Sequence, residues 1–416
     1  MTGAGNDAVA VFRAQLLPGS ETFIRDQADA LTRWRPVTFG ALRVDSPLSR
    51  PDDTVLYDAA GPGDQRRFAD RVALLLAELT GVAPRVTRHL RRLRDERGVR
   101  VVHAHFAKDA WLVARAARRA GLPLVVTCHG YDVTSLPGRP GIRGAGYRWR
   151  TRRVLGRADA VVAVSGFIAD AARKLGAADP VVVHTGVRVD RAVVPSAAAS
   201  ESSDGAGISE PFSGAGDPVG GAEPIDVLFV GRLVPKKGVD DLLRAIPGVA
   251  EALGRQVRVH VIGDGPLAPE LKGLAEGLGI ADSVVFEGAR PTARVDAAMA
   301  SARVFCGPSR TAPDGDSEGF GQVFLEAALA GTPAVARRHG GVVEAVEHGV
   351  SGLLSEPGDA AALERDLLRL LGDDGYRAAM GEAARRRAED RFDMARCVVR
   401  LEELYSEVAR PPRSVR

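Results

Sequence analysis

Arg232 and Lys237 lie within Gly231-Arg232-Leu233-Val234-Pro235-Lys236-Lys237-Gly238, directly after the apolar run 227–230. A glycine at a strand's carboxyl end frees the backbone to turn, so cations on either side of the proline bend can converge over the sheet. Two such charges suit a diphosphate leaving group. They neutralise charge that grows as the bond to phosphate breaks, which favours the transition state over the ground state. Alone, the stretch also reads as a solvated loop. The second element, Asp314-Gly315-Asp316-Ser317-Glu318-Gly319-Phe320-Gly321-Gln322, precedes the helical run 323–329. A glycine-bracketed turn at a helix N-terminus presents unpaired N–H groups and a positive dipole end to an anion. Glu318 stands before that helix and Glu326 eight residues later within it. A turn or more of helix separates them, so they are not one catalytic dyad. They can instead hold two hydroxyl-bearing parts of one elongated ligand, Glu326 the vicinal ribose hydroxyls and Glu318 a sugar. Taken singly, Glu318 is an ordinary dipole carboxylate and Glu326 an ordinary surface residue.

These residues need a sheet to carry them, and the chain supplies the pattern for two. Residues 8–12, 101–103, 124–127 and 160–164 read as buried strands, and 20–31 as an amphipathic helix with Ile24, Ala28 and Leu31 on one face. The alternation implies a parallel sheet with helices on both faces and ligands at the carboxyl ends of its strands. Residues 195–224 interrupt it: 22 of the 30 are Gly, Ala, Ser or Pro, a flexible linker. Strands resume at 227–230, 257–262, 283–286, 304–306 and 333–336, and 394–408 has the helical periodicity to pack back across a cleft.

A length of 416 residues fits two α/β domains of roughly 200 residues each. The chain is 45% hydrophobic and 26% charged, which excludes disorder for the bulk. It has no apolar run of about 20 residues and no signal-peptide pattern, so it is expected to be soluble and cytoplasmic. Cys128, Cys306 and Cys397 are too scattered for a disulfide framework or a metal cluster. His103 and His105 are read as structural, pointing to opposite faces of a strand end and so a poor chelating pair. The net charge of +3 divides into +12 over residues 1–194 and −9 over 195–416. Arginine-dense stretches in the first half suit nucleic acid, an anionic membrane face or a lipid phosphate. A general arginine bias explains them equally. Few aromatics and no recognition motif accompany the charge, so nucleic acid is not the expected partner.

Gly263-Asp264-Gly265-Pro266, Gly331-Thr332-Pro333, His339-Gly340-Gly341, Glu344 and Gly352-Leu353-Leu354 extend the pattern around the two charged elements. In the first half stand Pro18-Gly19-Ser20-Glu21-Thr22-Phe23-Ile24, His103-Ala104-His105-Phe106 and His129-Gly130-Tyr131-Asp132. Together they resemble the retaining glycosyltransferases of family 4, in particular the colanic-acid and exopolysaccharide branch. The resemblance implies the α/β GT-B fold: two Rossmann-like domains facing across a cleft, with a C-terminal helix crossing back to the first. The implied division is an acceptor-side domain at 1–194, a linker at 195–224, a nucleotide-sugar domain at 225–393, and a crossover helix and tail at 394–416. Arg232 and Lys237 are implied to bind the donor diphosphate, Glu326 the ribose and Glu318 the sugar. Gly19 and the backbone of Gly319, Phe320, Gly321 and Gln322 are implied donor contacts. His129, with Glu318 an implied catalytic residue, falls beside the transferred sugar, and Asp132 on the acceptor side. No metal or other cofactor is implied. The expected partners are a UDP- or GDP-sugar and a glycan, lipid-linked or small-molecule acceptor, with peripheral contact to an anionic membrane. A nucleotide-sugar epimerase or phosphorylase shares the architecture, and a non-catalytic nucleotide-sugar-binding scaffold is the non-enzymatic alternative.

Overall fold

A computed structural model describes residues 7–19, 21–57, 65–191 and 225–410. The linker expected at 195–224, Ser20 and the tail from 411 lie outside the described residues. The first half forms a seven-stranded sheet from β1 (Ala8–Leu16), β2 (Arg35–Arg43), β3 (Thr54–Val55), β4 (Val99–His105), β5 (Leu124–Cys128), β6 (Ala160–Ala163) and β7 (Val181–Val182), in the order β3-β2-β1-β4-β5-β6-β7. The second half forms a six-stranded sheet from β8 (Ile225–Val230), β9 (Val259–Ile262), β10 (Val284–Gly288), β11 (Ala302–Gly307), β12 (Ala334–Arg337) and β13 (Gly352–Ser355), in the order β10-β9-β8-β11-β12-β13. All neighbouring strands are parallel. Helices cover both faces of such a sheet, which is why Val101, Val125, Val227, Val259 and Val335 are all fully buried.

The arginine-dense segment near residue 90 forms the helix Pro84–Arg97, whose inner face buries Val86, Leu90 and Leu93. Its outer arginines include Arg92 and Arg94, which pair with Glu96 and Asp95. The helix Met394–Val408 crosses back to the first sheet, as expected. Glu402 is fully buried there and accepts the backbone N–H groups of Thr32, Arg33 and Trp34 at 2.8, 2.6 and 3.2 Å. Three residues further on, the Tyr405 hydroxyl lies 2.6 Å from His103 Nδ1.

Candidate active site

In a doubly wound sheet the ligand crevice opens where the strand order reverses, beyond the carboxyl ends of the strands. Here the reversals fall between β1 and β4 and between β8 and β11. The segment holding Gly19 follows β1, Phe106 follows β4, the Arg232–Lys237 loop follows β8 and the Glu318 loop follows β11. A cavity of about 580 Å³ lies between these ends, with Gly19, Arg232, Gln322 and Glu326 in its wall.

Lys237 and Glu318 are not in that wall; they are bonded to each other at its edge. Lys237 Nζ donates to Glu318 Oε2 at 2.5 Å, with the two side chains 14% and 12% exposed. A Cβ on Gly231, which lines the cavity, would stand 3.6 Å from Lys237 Cε, so the lysine stem abuts the cavity wall. Lys236 ties the same two loops together, donating to Asp316 at 3.1 Å and to the Ser317 carbonyl at 3.3 Å. Burial pushes the Glu318 carboxyl up, but the charges of Lys237 and Lys236 outweigh it and hold the group at about 2. Glu318 is therefore an anion at any physiological pH.

The turn ahead of the helix Gln322–Leu329 is shaped by its glycines. Gly321 takes φ +87°, and a Cβ there would press into the Phe324 ring. A side chain on Gly319 would run into the His129 carbonyl of the first half, so the two loops touch backbone to backbone. The Phe320 ring does not line the cavity. It is buried between the halves, stacked on His184 at 5.0 Å and against Phe392 at 5.6 Å, which leaves only backbone for a ligand. Gln322 reaches the Gly186 carbonyl at 3.4 Å besides lining the cavity.

On the first-half side, His129 is half-buried within an aromatic surround of Phe23, Phe106 and His105 at 5.0, 4.5 and 5.3 Å. Its Nε2 lies 3.0 Å from His105 Nδ1. Burial, then the nearby Arg13 and His103, hold the imidazole well below the usual histidine range, so it is neutral. Phe106 takes φ +69°, a left-handed conformation costly for a non-glycine residue, and its ring fills the gap between His129 and Arg13. Asp132 requires a correction. It is completely buried, and its carboxylate accepts N–H groups from Ala107, His129 and Gly130 at 2.8, 3.1 and 2.9 Å. It holds the His129 turn in shape and has no surface to offer an acceptor. His103 and His105 also differ from expectation. Two residues apart on a strand they share a face, with rings 4.3 Å apart. They remain structural: His103 is spent on Tyr405 and Thr127, both at 2.6 Å.

Several residues that hold the site together carried no signal alone. Arg13 is buried inside β1 and bonds Glu21, at 2.7 Å from Nε, and Asp109, fixing the end of β1 below the Gly19 segment. Glu344 bridges the halves, accepting from Gly166 N at 2.8 Å and lying 2.9 Å from His184 Nε2. Ser165 donates across to the Gly319 carbonyl at 2.6 Å. Arg13 lies just past the apolar run 8–12, and Glu344 appeared only as part of a motif. Among the described residues no group of three or more His, Cys, Asp or Glu is placed to hold a metal ion.

Comparison with known proteins agrees with this arrangement. The profile of Glycosyltransferase Family 4 matches residues 18–191, and that of Glycosyl transferases group 1 matches residues 220–387. The GDP-mannose-dependent alpha-(1-6)-phosphatidylinositol monomannoside mannosyltransferase of Mycolicibacterium smegmatis is 32% identical over 329 residues, covering 78% of this chain and 80% of that protein. The amylovoran biosynthesis glycosyltransferase AmsK of Erwinia amylovora is 34% identical over 188 residues, 45% of this chain and 46% of that one. The crystal structure of Anabaena HepE in complex with UDP and glucose superposes with a TM-score of 0.72 at 22% identity, covering 96% of this chain and all of that one. Two matched profiles, one in each half, and a relative matched over most of its length show that the chain belongs to glycosyltransferase family 4 and is a glycosyltransferase of the GT-B fold.

Proposed function

We propose that the chain transfers a sugar from a UDP- or GDP-sugar to a hydroxyl of a glycan, lipid-linked or small-molecule acceptor, with retention at the anomeric carbon and without a metal ion. The product would belong to an exopolysaccharide or cell-surface glycan. One observation carries this reading. Arg232 and Glu326 from the second half face one cavity together with Gly19 of the first, and the Lys237–Glu318 pair closes its edge. In this reading Arg232 and Lys237 hold the diphosphate, Glu326 the ribose, Glu318 the sugar hydroxyls, and the backbone of Gly319 to Gln322 the sugar and phosphate. Neutral His129 hydrogen-bonds the transferred sugar without adding charge beside the reacting carbon. The bond from that carbon to the phosphate oxygen breaks, the acceptor oxygen bonds to the same face, and the acceptor's proton passes to the departing phosphate. Both bases stay in view because the mycolicibacterial relative is named for GDP-mannose and the Anabaena structure holds UDP.

The reading includes peripheral contact with an anionic membrane on the cytoplasmic side. Among the described residues no helix is long and apolar enough to cross one. Support comes from the helix Gln65–Thr80, which leaves Phe68, Leu75, Leu76 and Leu79 more than half exposed, while Ile142 and Trp149 protrude from the arginine-rich helix Gly141–Leu155. The test of function is release of nucleoside diphosphate from a panel of UDP- and GDP-sugars, with and without an extract of cell-surface glycan lipids. Acceptor-dependent release with one donor is expected. Donor consumption that needs no acceptor would favour an epimerase. The membrane contact is checked by vesicle co-sedimentation, which Leu75→Ser with Leu76→Ser should abolish.

A further inference from the structure

A second cavity, of about 620 Å³, opens at the other end of the first sheet, where β5 begins. Trp111, Leu122, Pro123, Val154 and Val408 give it apolar walls. Five arginines line it, Arg115, Arg118, Arg153, Arg157 and Arg410, against the single carboxylate of Asp159. That carboxylate already accepts the Leu124 N–H at 2.8 Å. Among the described residues none of the five arginines forms an ion pair, in contrast to Arg92 and Arg94 on the adjoining helix. Arg115 spends one N–H on the Thr80 carbonyl at 2.8 Å, and Arg153 stacks over Trp149 at 5.5 Å. Arg153 Nε is buried with no hydrogen-bond partner.

Basic residues in a helix's last turn offset its negative end, and that accounts for Arg118 and Arg153. It does not account for Arg115, which lies within its helix, or for Arg157 and Arg410, which lie beyond theirs. Like charges gathered around a concavity repel one another, and low-dielectric walls focus their field on the space between them. Guanidinium forks match phosphate oxygens in pairs, and the apolar walls limit competition from water.

We propose that this cavity is a binding site for a phosphate-bearing anion, separate from the cavity between the two sheets. A phospholipid headgroup and a soluble phosphate ester present the same chemistry, and the experiment separates them. Arg118 and Arg157 are exposed, so Arg118→Ala with Arg157→Ala should leave the unfolding midpoint and the transfer activity in solution unchanged. Pyrophosphate is titrated calorimetrically into the full chain and into this double variant at low salt, where charge interactions are least screened. Two binding events are expected in the parent. In the variant the one unaffected by Arg232→Ala should weaken at least tenfold. Identical stoichiometry and affinity in parent and variant would overturn the proposal. If the occupant is a lipid headgroup, the variant also loses at least tenfold in binding to phosphatidylglycerol vesicles, and pyrophosphate competes with those vesicles in the parent. If it is a soluble ester, vesicle binding is equal in the two proteins while the pyrophosphate site is lost.

Discussion

Lys237 Nζ and Glu318 Oε2, assigned by sequence to the diphosphate and the sugar of a donor, are bonded to each other at 2.5 Å. A diphosphate that recruits Lys237 must share this pair or displace it, so donor binding and loop position are coupled. The pair is enclosed, and removing one member strands a buried charge. Lys237→Ala should therefore cost about 3 kcal/mol of stability as well as activity. Adding Glu318→Gln to it should restore most of the unfolding midpoint and none of the turnover. Equal midpoints for Lys237→Ala and the parent would show that the pair contributes nothing to folding.

Arg232 separates chemistry from stability more cleanly, because it is exposed within the cavity. A charge-assisted hydrogen bond contributes roughly 1.5–3 kcal/mol. Arg232→Ala is expected to lower turnover on the order of 10- to 100-fold. Its unfolding midpoint should stay at the parent value. Parent-like rates in steady-state assays would remove Arg232 from the diphosphate site.

Glu326 lines the same cavity from within the helix Gln322–Leu329. Glu326→Ala should weaken nucleoside diphosphate binding by about tenfold in calorimetry, the loss of one hydrogen-bonded group of about 1.4 kcal/mol. An unchanged dissociation constant would detach the carboxylate from the ribose.

The buried histidines set a pH dependence of stability. Burial holds His103 at about 3 in the folded chain, against 6.5 when unfolded. A depressed folded value means that the unfolded state binds the extra proton first, so stability is full above pH 6.5 and is lost as pH falls towards 3. At pH 5 the loss from His103 is about 2 kcal/mol relative to neutral pH. The His103→Gln variant should show a shallower fall in unfolding midpoint between pH 7 and 5. An identical slope would mean that His103 takes up its proton equally in the folded and unfolded states.

Addition of EDTA tests the role given to the cations. Arg232 and Lys237 are proposed to neutralise the leaving diphosphate themselves, so turnover should change by less than about twofold on chelation. A loss restored by Mg²⁺ or Mn²⁺ would show that a metal shares that work.

Strands with uninterrupted apolar runs were legible in sequence, and so were both charged loops after β8 and β11. β2 was not, because Arg35, Pro36, Thr38, Gly40 and Arg43 break its apolar run although Val37 and Phe39 are buried. The two-residue strands β3 and β7 are too short to carry any period. Arg232 and Glu326 were legible as candidates from the loop after β8 and the helix after β11, and both line the cavity. Asp132 misled because a motif shows which positions matter but not which way a side chain turns. Asp132 turns inward onto three amides, and Phe320 turns onto His184. Glu344 and His184 meet only after two distant segments fold together, a fact no local spacing contains.

The bonds from Glu402 and Tyr405 to the first half have a consequence for how the protein is made. On the ribosome, β7 emerges long before the helix Met394–Val408 that must cover Trp34 and His103. At 5–20 residues per second the interval is roughly 10–40 s. Throughout it the first sheet waits with an open apolar flank that this helix closes.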